Sequence, residues 1–151
     1  MAIVDLAQGG SWLETLCGVP AGPGILDLVS GAADFTKVIG RDAKSTVHLL
    51  RYGAVRTPRA KVLLAERIES VLGALGHSYD AVIVNAGEAA LETPVLLHKC
   101  DGVLVLAPAA HMAEANNAVE ALLTSGVRAA RTVRLGDAMA RADFTLKSVN
   151  A

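Results

Sequence analysis

Two polar residues stand where chemistry could be carried out. Asp5 follows the apolar run Ala2-Ile3-Val4, and Asn85 follows Ala81-Val82-Ile83-Val84. Both runs read as short buried strands of a parallel sheet, and the ligand crevice of an open α/β sheet lies outside the carboxyl ends of its strands. A carboxylate at such an end positions a metal ion or a water. Asn85 carries an amide instead, which holds a cation weakly and accepts no proton. Gly87, just past the same strand, and Pro108, at the end of Asp101-Gly102-Val103-Leu104-Val105-Leu106-Ala107-Pro108, are candidates for lining the crevice. Arg51, Arg56 and Arg59, with Lys61, gather between one predicted strand and the next helix. Such a cluster could meet an anion or an acidic partner, although a solvated loop is the plainer reading.

Several nucleotide and hydrolase signatures are missing. A P-loop needs a glycine, four residues and then Gly-Lys-Ser/Thr, opening a helix so that its amides point at phosphate. The nearest stretch is Gly40-Arg41-Asp42-Ala43-Lys44-Ser45-Thr46. It has Val38 and Ala43 at the two glycine positions and runs into a strand. No G-x-G-x-x-G, G-x-S-x-G or H-E-x-x-H occurs. The histidines, His48, His77, His98 and His111, are scattered. Cys17 and Cys100 lie far apart without metal-ligand spacing, which predicts two reduced thiols.

The elements that must position these residues follow in order. A strand over Ala2–Leu6 precedes a short helix over Trp12–Leu16. The Gly/Pro-rich stretch Gly18–Gly24 is a rigid connector. It leads to a helix at Ile25–Ser30, with Gly31 as its left-handed terminator, and a helical piece at Phe35–Ile39. Val47–Gly53 reads as a strand. Thr57-Pro58 is a helix start, and Leu64, Ile68, Val71, Leu72 and Leu75 give that helix one apolar face, with Gly76 ending it. After the Ala81–Val84 strand come a short helix at Glu92–Lys99, the strand ending at Pro108, a helix at Ala113–Ser125 and a strand at Arg128–Leu135. In the last, Arg alternates with apolar residues, as expected of an edge with one solvated face. Residues 138–149 read as a weakly structured tail. Alternating strands and helices predict one α/β domain over 1–151, three-layered, with a mostly parallel sheet of about five strands.

Composition agrees with buried parallel strands. Of 151 residues, 52% are hydrophobic but only 3% aromatic, so Ala, Val and Leu must fill the core. Mean hydropathy is +0.42, yet no apolar run reaches the ~20 residues that span a bilayer. A net charge of −1 argues against nucleic acid as a partner. The N-terminus has no basic segment, and no secretory leader is expected.

The order of pieces resembles a known family. Gly18-x-Pro20-x-Gly22-Pro23-Gly24-Ile25-Leu26-Asp27-Leu28-Val29-Ser30-Gly31 is similar to the connector after the second acidic motif of bacterial tyrosine kinases. These are cytoplasmic ATPase domains of capsule and exopolysaccharide export systems, related to the MinD/ParA class of deviant P-loop ATPases. The resemblance continues through Thr57-Pro58, Tyr79-Asp80-Ala81-Val82-Ile83-Val84 and Asp101-Gly102-Val103-Leu104-Val105, and covers most of residues 2 to about 130. It implies a P-loop NTPase-like fold lacking the P-loop unit. The family's first strand, P-loop and following helix would lie before Ala2. Its second acidic motif would fall on Asp5 and Ala7, and its Walker B aspartate on Asn85. The family's C-terminal tyrosine cluster has no counterpart.

These departures predict a degenerate relative with no catalytic residue of its own, no metal and no cofactor; ATP and Mg²⁺ would enter only with a P-loop supplied elsewhere. The expected role is a cytoplasmic interaction or regulatory module. Its partner would be a membrane-bound polysaccharide chain-length regulator, a kinase subunit or a second copy of the chain, with membrane association only through that partner. The alternative is part of an active kinase or ATPase completed by another chain or an N-terminal segment. Because the family's first strand lies beside the Walker B strand, its loss predicts direct pairing of 81–84 with 103–107.

Overall fold

The computed structural model describes residues 1–7, 12–53, 61–87 and 94–136, leaving aside the side chains of 61–65, 94 and 95. The chain divides into two compact units, residues 1–92 and 93–151. The helix start at Thr57-Pro58, Arg56, Arg59 and the tail from 138 lie outside the described residues.

The first unit is built on β1 (Ala2–Asp5), β2 (Ile39–Arg41), β3 (His48–Leu50) and β4 (Val82–Asn85), in the order β2-β3-β1-β4. β1 runs parallel to β3 and β4, and β2 is antiparallel to β3. Side chains alternate between faces along each strand. On one face, Ile3 and Leu49 pack with Leu13 and Cys17, from α1 (Trp12–Leu16) and its exit, and with Val19 of the connector. Val4 and Leu50 point to the other face and are fully buried. Burial on both sides explains why β1 and β3 read as continuous apolar runs. Further core residues come from α2 (Ile25–Ser30) and α4 (Lys61–Ser78), which pack together; Ile25, Leu26 and Val29 on the first and Ile68 and Leu75 on the second are buried.

The connector is welded to the end of β3. Ile25 and Leu26 donate their amides to the carbonyls of Arg51 and Tyr52 at 2.8 and 3.0 Å. The Asp27 carboxylate accepts the Gly24 amide at 2.8 Å, closing the first turn of α2. Gly24 lies so close to this backbone that a Cβ there would collide with the Arg51 carbonyl and the Gly53 amide. Replacing Gly24 by Ala should therefore cost about 3 kcal/mol, read as a lowered urea midpoint with an unchanged slope. A midpoint within error of the parent would contradict this packing.

Strands are shorter than expected at His48–Leu50 and Ala130–Leu135, and two helix ends also differ from expectation. The helical piece α3 (Phe35–Val38) ends one residue early, and Ile39–Arg41 is a strand, too short and too glycine-dependent to show a period. Gly40 is needed there because a Cβ would strike Val19. The Gly40–Thr46 stretch thus begins in a strand and continues through bends to β3, and it opens no helix. Helix α4 continues past Gly76 to Ser78. His77 Nδ1 meets the Gly73 carbonyl at 2.7 Å and Ser78 Oγ donates to the Ala74 carbonyl at 3.0 Å, so side chains reach acceptors in the last turn.

The second unit is a βαβ unit preceded by a 3₁₀ helix at Pro94–Lys99. β5 (Val103–Pro108) and β6 (Ala130–Leu135) pair in parallel, and α5 (Met112–Thr124) packs on both. Leu104, Leu106 and Val133 remain exposed. The registers Leu104↔Arg131 and Leu106↔Val133 set them on one face.

The fold class is α/β with mostly parallel strands, as expected. The strands, however, form a four-stranded and a two-stranded sheet rather than one sheet of about five. The expected pairing of 81–84 with 103–107 is not found among the described residues: β4 pairs with β1, and β5 with β6. No helix among those residues is long and apolar enough to cross a membrane.

Candidate active-site remnant

The carboxyl ends of β1 and β4 bring Asp5 and Asn85 into direct register. Asn85 Nδ2 donates to Asp5 Oδ1 at 2.8 Å, and the Ala7 amide donates to the same oxygen at 3.1 Å. The Leu6 amide continues the ladder to the Asn85 carbonyl at 2.8 Å. Asp5 is fully buried, and its Oδ2 has no hydrogen-bond partner among the described residues. Gly87 follows with φ +51°, and a Cβ there would stand 3.1 Å from that of Ala7. A small residue at position 7 and a left-handed glycine at 87 therefore let the two strand exits approach closely.

This arrangement carries one carboxylate where two would be needed to grip a divalent cation by charge. The second polar group is an amide, and its donor is turned onto the carboxylate. Asn85 fits this geometry because it is neutral: a hydrogen bond replaces what would be repulsion between two carboxylates.

Arg51 lies one step beyond the Val4↔Leu50 pair, on the strand next to Asp5. The sequence suggested a surface cluster, but Arg51 is 5% exposed. Its Nη1 donates to the Pro20 carbonyl and the guanidinium lies beneath Gly22, so its charge serves the connector. Pro108 is buried at the end of β5 in the second unit, whereas Gly87 belongs to the first. His48, at the opposite end of the sheet, meets the Tyr79 hydroxyl at 2.6 Å with the rings edge-on. Among the described residues no group of three or more His, Cys, Asp or Glu could hold a metal ion. Burial pushes the Cys17 thiol up, with Asp42 adding to it, and burial does the same to Cys100. Neither is an activated thiolate. The Asp5–Asn85 bond itself had no sequence signal beyond the placement of both residues at strand ends.

No family model matches the sequence, and no curated protein matches it. Solved structures do. The kinase domain of Escherichia coli tyrosine kinase ETK is similar with a TM-score of 0.68 at 20% identity, over 99% of this chain and 60% of that one. The VpsO kinase domain has a TM-score of 0.71 at 19% identity, over 89% and 70%. The fold is that of bacterial tyrosine kinase domains. MinD of Aquifex aeolicus shares it with a TM-score of 0.64 at 14% identity, over 88% of this chain and 54% of that one. The chain thus spans 60% of the ETK kinase domain and about half of MinD. In this kinase-domain fold, the pair Asp5 and Asn85 closes the carboxyl ends of two adjacent parallel strands.

Proposed function

We propose that this chain is a non-catalytic relative of the exopolysaccharide and capsule tyrosine kinases, acting as a cytoplasmic interaction or regulatory module in polysaccharide biosynthesis or export. One observation carries the reading: Asn85 stands at the expected Walker B position and spends its amide on Asp5 Oδ1. Phosphoryl transfer is mostly positioning and charge neutralisation by a phosphate cradle, Mg²⁺ and its acidic ligands. A lone buried carboxylate with one oxygen already taken supplies little of that. The partner would be a membrane-bound chain-length regulator or a true kinase subunit. Calorimetric titration with Mg-ATP should give no binding heat, and micromolar, Mg²⁺-dependent binding would overturn the proposal.

A second reading draws on the limited span of the match. The chain covers 60% of the ETK domain, which favours a piece of an active kinase or ATPase whose P-loop comes from another chain or an N-terminal segment. Co-expression with the products of neighbouring reading frames tests it: ATP hydrolysis must exceed that of the neighbours alone.

A further inference from the structure

We draw no further inference here: the strongest candidate, the apolar face of the β5–β6 sheet formed by Leu104, Leu106 and Val133, is exposed, and nothing in the structure shows what covers it.

Discussion

Asn85→Asp should destabilise the protein by about 3 kcal/mol at pH 7 and should not create ATP hydrolysis. The side-chain atom 2.8 Å from Asp5 Oδ1 is a donor in the parent and would become a carboxylate oxygen. Two like charges buried at that separation cannot both ionise cheaply, and an uncompensated buried charge costs about 3–5 kcal/mol, less whatever rearrangement relieves. The pair should hold one proton, so the variant's folded state binds more protons than its unfolded state at neutral pH. A group whose folded pKa is raised keeps its full stability below the unfolded pKa and loses it as pH rises through the folded value. The deficit should accordingly be small near pH 4 and grow towards neutrality. Millimolar Mg²⁺ should recover part of it in the variant and do nothing to the parent, because only the variant offers two carboxylates. Urea titrations at several pH values, with and without Mg²⁺, measure this. A variant as stable as the parent at pH 7 without Mg²⁺ would show that the two side chains do not share a dry site. ATP turnover by the single variant would show that the chain holds a phosphate cradle after all.

Much of the sheet was legible because its strands are short apolar runs with abrupt ends. Asp5 and Asn85 mark the ends of β1 and β4 as plainly in the sequence as in the fold, and the Gly18–Gly31 connector announced itself by turn chemistry. Pairing was not legible. Whether Val82–Asn85 joins β1 or β5 depends on tertiary packing, since either strand offers the same apolar pattern. β2 escaped because three residues including a glycine carry no period. Arg51 misled for a related reason: arginine is usually solvated, and only the fold shows the Pro20 carbonyl receiving it. The same limit applied within the site. The types and positions of Asp5 and Asn85 could be read, but which amide hydrogen finds which oxygen is a property of the register.

That register makes the largest contrast between two substitutions at one position. Asp5→Ala should cost about 3 kcal/mol, and Asp5→Asn should cost about 1–2. In the parent, one oxygen accepts both the Asn85 amide and the Ala7 N–H inside a fully buried residue. Alanine removes the acceptor and strands both donors, and each buried donor left unsatisfied costs about 1–3 kcal/mol. Asparagine keeps an acceptor at the Oδ1 position. Its own amide would replace Oδ2, an atom without a partner among the described residues, so that exchange breaks no bond but buries a new donor, at a cost of about 1–3 kcal/mol. It also removes a charge from the interior, which offsets the loss of charge-assisted strength in the two remaining bonds. Thermal and urea unfolding of both variants give the comparison. If Asp5→Asn proved as damaging as Asp5→Ala, the negative charge itself would be required, and a cation or an additional donor would have to reach Oδ2. That outcome would weigh directly against the reading of this strand end as an emptied site, because a fold that depends on the charge has kept the most important part of the older chemistry.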